Sequence, residues 1–399
     1  MFRLRSFRAW FGCIVLTTGW QALAAELTLP PITGELEGKF APLRFPGVPP
    51  VGWKLTLRGG TSEMREVDFA IDGPGVSLHG DARLDTTGEG TWRLREGRVD
   101  LANWLGALAP IAGGEFAAVN GSGALTIAGE GTWRGGELGG RARIGVRDGR
   151  MDDPTHKLLL EGVAVEIEVV DLAALRTAPL QRLTWTSGRY DVVPLGKGRI
   201  EFALEGEKLS VKEAAIEIFG GELSLGALEM STKSLEFSTM AKMNGVEIGQ
   251  ILFLLPPVLS EARGKLDGQM ALSRDATGIQ IGKGRLALRE GETADLRLAV
   301  KPGWLSTSLP PEIVKYFPGF QKIETGEIPI RARVLEMTFT PLGDASGRTA
   351  WVHLEGGPSD PDLTAPIDTT VNVRGPLEEV VKIGTDLGTS SRLRFGSAK

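Results

Sequence analysis

The sequence predicts an all-β fold: a mostly antiparallel sheet with a few short helices. Three observations carry this. Apolar and charged residues alternate with period two over many runs, which gives a sheet one apolar and one wet face. Glycine numbers 54 in 399 residues, about twice the usual share of roughly 7%, although hydrophobic residues still make up 42%. The third is repetition. A β-branched residue, an acid, an aliphatic and further apolar bulk recur at Val99-Asp100-Leu101-Ala102-Asn103-Trp104-Leu105, Val170-Asp171-Leu172-Ala173-Ala174-Leu175 and Val246-Glu247-Ile248-Gly249-Gln250-Ile251-Leu252. Each copy reads as a strand end turning into a short helix, with the acid at the helix N-terminus. Repeated architectures make extended surfaces more often than compact active sites.

Residues 1–25 read as an export signal. Arg3, Arg5 and Arg8 form a basic n-region, Ala9 to Leu16 a short apolar core, and Ala22-Leu23-Ala24 a small-x-small cleavage site. The alternative is an uncleaved inner-membrane anchor, which the short apolar stretch disfavours. The leader holds three of the 45 basic residues and none of the 50 acids, so its removal takes the net charge from −5 to −8. It also removes Cys13, the one cysteine, and with it any disulfide or thiolate metal site. After the leader come three expected regions, 26–144, 145–305 and 306–399, with soft boundaries near Pro110 and Pro302.

Strands are expected where the alternation is cleanest. Val163, Val165, Ile167 and Val169 share a face opposite Glu166 and Glu168. Ile200, Phe202 and Leu204 alternate with Glu201 and Glu205. Leu235, Phe237 and Met243 share a parity opposite Glu236 and Lys242, Leu296 and Leu298 flank Arg297, and Val352 and Leu354 flank His353. Turns are expected at Asp72-Gly73, Gly135-Gly136, Asp148-Gly149, Gly220-Gly221 and Asn244-Gly245, pairs suited to positive φ. The phrase Gly-Glu-Gly-Thr-Trp-Arg, at 88–93 and 129–134, reads as a degenerate β repeat, with turns at Gly88-Glu89-Gly90 and Gly129-Glu130-Gly131. Gly196-Lys197-Gly198-Arg199-Ile200 recurs as Gly282-Lys283-Gly284-Arg285-Leu286. Two more helices are expected, Pro311 to Phe317 and Pro376 to Leu387, each opened by proline.

Little here supports catalysis. His79, His156 and His353 lie far apart, without a nucleophile elbow. No His-x-x-x-His pair or calcium-loop spacing appears, and the acids are explained by a solvated sheet face. Gly88-Glu89-Gly90 and Gly129-Glu130-Gly131 lack the third glycine and the βαβ context of a dinucleotide site. We therefore expect no catalytic residue, no cofactor and no metal. A net negative chain without a basic stripe also disfavours nucleic acid. Two tyrosines and the terminal Ser397-Ala398-Lys399 disfavour an outer-membrane barrel. What remains is an apolar sheet face with few helices to cover it. It either packs on itself or holds a ligand with apolar surface.

Between 145 and 305 stand, in order, Val146-Arg147-Asp148-Gly149-Arg150-Met151, Leu160-Glu161-Gly162-Val163, Leu175-Arg176-Thr177-Ala178-Pro179-Leu180-Gln181-Arg182, Phe219-Gly220-Gly221-Glu222-Leu223, Val246-Glu247-Ile248 and Gly264-Lys265-Leu266-Asp267-Gly268. On these phrases the segment resembles the AsmA-like superfamily of envelope proteins, nearest its YdbH-type branch with the "dicarboxylate transport" domain. It implies a long sheet curved along its length into an open, taco-like hydrophobic groove. It implies a non-enzymatic role, with phospholipid carried between inner and outer membranes in the periplasm by its acyl chains. The apolar faces read from the alternation make Val165, Ile167, Ile200, Phe202, Leu204, Leu235 and Phe237 the groove candidates. An open sheet end further suggests a membrane-anchored partner adding a strand. The alternative is a structural or interaction protein of the envelope, with a self-packed core and no lipid.

Overall fold

The computed structural model describes residues 33–40, 50–60, 64–105, 118–234, 236–254, 259–275, 278–303, 306–308, 314, 319–340, 348–363 and 366–374. The described strands number 23 and form one antiparallel sheet, as the alternation predicts. In chain order the first half holds β1 (Gly34–Phe40), β2 (Val51–Gly60), β3 (Met64–Gly73), β4 (Val76–Asp85), β5 (Gly90–Asp100), β6 (Asn120–Arg134), β7 (Glu137–Asp153), β8 (Leu158–Asp171), β9 (Arg176–Thr177), β10 (Gln181–Trp185), β11 (Ser187–Tyr190) and β12 (Val193–Glu205). The second half holds β13 (Lys208–Ile218), β14 (Gly221–Leu225), β15 (Leu228–Ser231), β16 (Phe237–Glu247), β17 (Leu259–Arg263), β18 (Lys265–Asp275), β19 (Gly278–Leu288), β20 (Ala294–Leu298), β21 (Ile330–Phe339), β22 (Arg348–Pro358) and β23 (Ile367–Arg374).

The chain packs as two compact units. Unit 1 comprises Met1–Asp191, Gly196–Ala214 and Glu229–Leu235. Unit 2 comprises Val192–Leu195, Ala215–Leu228 and Glu236–Lys399. In unit 1 successive strands from β1 to β8 pair as a meander, each with the next. β10 then lies between β8 and β12. Its core is Val67, Phe69, Leu78, Leu84, Trp92, Leu94, Val99 and neighbours, with Trp104 packed among them from a helical turn at 101–105. In unit 2, β16, β18, β19, β21, β22 and β23 pair in that order. Ile248 and Ile251 of a 3-10 helix (Ile248–Leu254) and Ile323 of α1 (Phe320–Glu324) join its core around Leu266, Leu286, Leu296 and Ile330.

The repeated phrase is a cap whose conformation varies. At its start the chain hooks onto a preceding hairpin: Asp100 N–H donates to Gly75 O (2.7 Å), Leu172 N–H to Gly140 O (2.9 Å) and Glu247 N–H to Phe219 O (2.9 Å). Asp100 Oδ1 accepts from Ala102 N–H and Asp171 Oδ1 from Ala174 N–H, both at 3.0 Å, as N-terminal acids do. The expectation of three helices is corrected. The first copy is helical, the third is a 3-10 helix, and the second is a single turn. That turn stops because Leu175 takes φ 52 and β9 returns to the sheet, Thr177 opposite Val169.

Turn expectations are corrected as well. Gly135-Gly136 is a two-residue turn with both φ positive (55 and 80), as expected. Asp148-Gly149 and Asn244-Gly245 instead lie inside β7 and β16, where the register shifts between Val146 and Gly149 and between Met243 and Val246. They are bulges, which use the same positive-φ residues (Asp148 at 50, Gly245 at 68) to bend a strand instead of reversing it. The β3–β4 turn falls on Pro74-Gly75 and the β13–β14 turn on Phe219-Gly220, each displaced from the pair expected. The second Gly-Glu-Gly-Thr-Trp-Arg copy is wholly strand, and the two copies face each other in mirrored register, Trp92 opposite Gly131 and Gly90 opposite Trp133. The expected helices at 311–317 and 376–387 lie outside the described residues, apart from a helical residue at 314.

Candidate functional site: a registered apolar face

In unit 1 the apolar residues align across the strands as well as along them. One row runs Trp53–Ile71–Leu78–Gly97–Ile127–Ile144–Ile167, each residue directly opposite the next. A second runs Val76–Val99–Leu125–Val146–Val165–Leu183–Ile200. Residues opposite each other in an antiparallel pair share a face, so each row is an uninterrupted apolar track lying across the strands. Gly97 belongs to the first row because Leu78 needs the space: a Cβ there would come 2.7 Å from Leu78 Cδ2.

Burial changes along these tracks. Leu78 is 1% exposed and Val99 is 7% exposed. From β6 onward, Leu125, Ile127, Ile144, Val165, Ile167, Leu183 and Ile200 are only half-buried, with Val146 the exception. Half-burial of a run of aliphatics on one face leaves apolar area that further apolar contact would cover. In unit 2 the row Leu223–Met243–Gly268–Leu286–Met337–Val352 is built the same way. There Leu286 and Met337 are buried in a core that the 3-10 helix and α1 help to close.

The sequence candidates fall as follows. Val165, Ile167, Ile200, Phe202 and Leu204 stand on one face of unit 1, all half-buried; Leu183 joins Val165 to Ile200. Phe202 faces Gln181, whose side chain is occupied by backbone: Oε1 accepts from Glu168 N–H (2.7 Å) and Nε2 donates to Ala178 O (2.7 Å). Leu204 N–H donates to Thr177 Oγ1 at 2.9 Å. Phe237 is in unit 2, half-buried on β16 and opposite Arg274. Leu235 lies outside the described residues. Sequence reasoning passed over Leu125, Ile127, Ile144, Leu183 and Trp185. The Leu183/Trp185 alternation was a usable signal on too short a strand, and cross-strand register cannot be read from one strand alone.

The opposite face is charged and cross-paired. Arg93, Glu130 and Arg141 stand in register, with Arg141 Nε 3.0 Å from Glu130 Oε1. Glu166, Arg182 and Glu201 form another such row, and Arg182 Nη2 donates to Glu201 at 2.8 Å. Arg141 holds the Glu130 carboxyl below its ordinary range, and Arg182 does the same for Glu201. A shallow concavity of about 410 Å³ on this side is lined by Lys54, Arg58, Asp68, His79, Arg95 and Glu96 among others. Its cations are engaged: Lys54 with Glu35, Arg58 with Asp68, and Arg95 with both Asp68 and Asp81. His79 contacts Asp72, His156 is held by Asp153 at 2.7 Å, and His353 contacts Glu355 through Nε2 and Thr370 and Asp368 through Nδ1. Among the described residues no group of three or more His, Cys, Asp or Glu is placed to hold a metal ion, and no helix is long and apolar enough to cross a membrane.

An antiparallel sheet with one paired, charged face and one registered apolar face that is partly uncovered belongs to the class of proteins that offer extended apolar surface. The YdbH-like family, described as intermembrane phospholipid transport protein YdbH, matches residues 16–298, and the chain belongs to that family. The match reaches well upstream of the 145–305 segment on which the sequence resemblance rested. No curated protein and no solved structure was found to match the chain.

Proposed function

We propose that this chain is a non-enzymatic carrier that binds phospholipid by its acyl chains and moves it between the inner and outer membranes of the cell envelope. The observation that carries this is the half-buried apolar track from Leu125 and Ile127 across β7, β8 and β10 to Ile200, in a member of a phospholipid-transport family. Each acyl CH₂ that leaves water against such a face contributes about 0.8 kcal/mol, so a chain of sixteen carbons needs no specific polar contact to be held. Because that energy is non-directional, the chain can slide along the track. A groove formed by this face, with Val165, Ile167, Ile200, Phe202 and Leu204 in its lining, is the site we assign; Phe237 contributes on unit 2's own face. The partner that delivers or accepts lipid is membrane-anchored and adds a strand to a sheet end.

Native mass spectrometry of the folded protein, purified in mild detergent, tests the proposal. Co-purified phospholipid at about one or more per chain is the expected result. Folded protein devoid of lipid, and unable to take it up from vesicles, would replace this reading with that of a self-packed envelope β-protein.

A further inference from the structure

Among the described residues of unit 1 three indoles are buried, and two have acceptors. Trp104 Nε1 donates to Pro74 O at 2.8 Å and Trp92 Nε1 to Gly139 O at 3.3 Å. Trp185 does not. It is 8% exposed, and its Nε1 is the one buried side-chain polar atom without a partner among the described residues. Buried donors are almost always satisfied, so an orphan calls for a specific explanation. Register places it. Trp185 faces Gly198 and sits two residues beyond Leu183 on β10, on the face that carries Val165 and Ile200. Gly198 makes the room, since a Cβ there would run into the indole ring.

The other copy of the phrase supplies the contrast. Gly284 in Gly282-Lys283-Gly284-Arg285 occupies the place of Gly198, and the residue facing it is Met270, which has no donor. The same local geometry therefore accommodates an indole in one unit and a thioether in the other.

We infer that Trp185 Nε1–H is the polar fixing point for a bound phospholipid, donating a hydrogen bond to an ester carbonyl oxygen where an acyl chain joins the glycerol. The inference rests on the functional reading above and adds the group that is recognised. A single neutral donor suits an uncharged acceptor; a phosphate drawn onto an apolar face would lose its hydration for one hydrogen bond. An acyl chain lying along the Val165–Leu183–Ile200 row carries its carbonyl at its own end, next to a donor one pleat repeat away. Trp185 Nε1 is buried, so the acceptor arrives as the acyl chain opens the packing around it.

The test compares two lipids on the full chain: dioleoyl phosphatidylglycerol and its diether analogue, which has the same headgroup and chains but no ester carbonyl. Retention is read from loss of labelled lipid to acceptor vesicles, for the native protein and for Trp185→Phe. We expect the native protein to hold the ester lipid about three- to tenfold more tightly than the ether, the range of one net neutral hydrogen bond, and Trp185→Phe to hold both at the ether level. Equal retention by the native protein overturns the inference while leaving lipid carriage intact, and needs no variant to fold. Discrimination that persists in Trp185→Phe overturns the assignment to Trp185. If neither lipid loads onto folded protein, both readings fall.

Discussion

Arg289 holds Asp267 with two parallel hydrogen bonds, Nε to Oδ2 and Nη2 to Oδ1, both 3.0 Å. Asp267 Oδ1 also accepts the N–H of Gly245, the positive-φ residue of the β16 bulge. One carboxylate thus ties a bulge to the end of the neighbouring hairpin. Arg289 and then the Gly245 N–H hold its pKa below the ordinary aspartate value. The pair is partly exposed, at 37% and 41%, so screening limits its worth. Asp267→Asn should cost about 1 kcal/mol at pH 7 in urea unfolding, and a loss beyond measurement error is the check.

The same sign applies to Glu130 and Glu201, whose carboxyl pKa values are also lowered by arginine. A carboxylate with a folded-state pKa below its unfolded one stabilises fully above the unfolded value, near pH 4, and its contribution fades as pH falls below that. Lys54, raised mainly by its hydrogen bond to Glu35, behaves oppositely, with a contribution lost above about pH 10. Thermal scans from pH 3 to pH 8 should therefore show a plateau above about pH 5 and a decline below pH 4. Asp267→Asn should approach the native protein in stability along that acid limb.

Glu324 is fully buried at 0% exposure, with Oε2 accepting from Gly303 N–H (2.7 Å) and Oε1 from Ser306 N–H (2.8 Å). Truncation strands both donors. Glu324→Ala should destabilise by about 2–4 kcal/mol, and Glu324→Gln by less, because one amide oxygen still accepts. Denaturant midpoints measure both; equal losses would mean that the second acceptor oxygen or the charge, which glutamine lacks, carries the whole effect.

Core and open face should separate under mutation. Leu78, 1% exposed, sits where the track is covered, and Leu78→Ala should cost about 2–5 kcal/mol. Phe202→Glu, on the half-buried stretch, should abolish most lipid loading with a smaller loss of stability. Parallel loss of loading and of the unfolding midpoint at Phe202 would identify an ordinary core position.

Gly198 needs its missing side chain. Gly198→Ala should displace the Trp185 indole and cost about 1–3 kcal/mol, the range for overpacking a filled site. A shift in Trp185 fluorescence accompanying the midpoint change checks that the ring, and not the strand, has moved.

The period-two runs made the strands and their faces legible: Val165/Ile167 against Glu166, and Ile200/Phe202 with Glu201 on the other side. Local chemistry misled where one residue type serves two geometries. Asp148-Gly149 and Asn244-Gly245 supply positive φ to bulges as readily as to turns, and only the partner strand's register tells them apart. The phrase at 170–175 carries the same pattern as its helical relative at 99–105, yet β9 pairing cuts it to one turn. Cross-strand rows such as Ile127–Ile144–Ile167 join residues that no single strand relates, so the track itself was hidden in the sequence. Trp185 was hidden for the same reason: its room comes from Gly198, on another strand.

Site-specific photocrosslinking tests lipid carriage most directly. Benzoylphenylalanine is placed at Ile144 or Val165 on the apolar face, and at Arg143 or Glu166 on the charged face, in cells fed radiolabelled phosphate. The account predicts labelled phospholipid captured at Ile144 and Val165 and none at Arg143 and Glu166. Equal capture on both faces, or none at Ile144 and Val165 in folded protein, would contradict it.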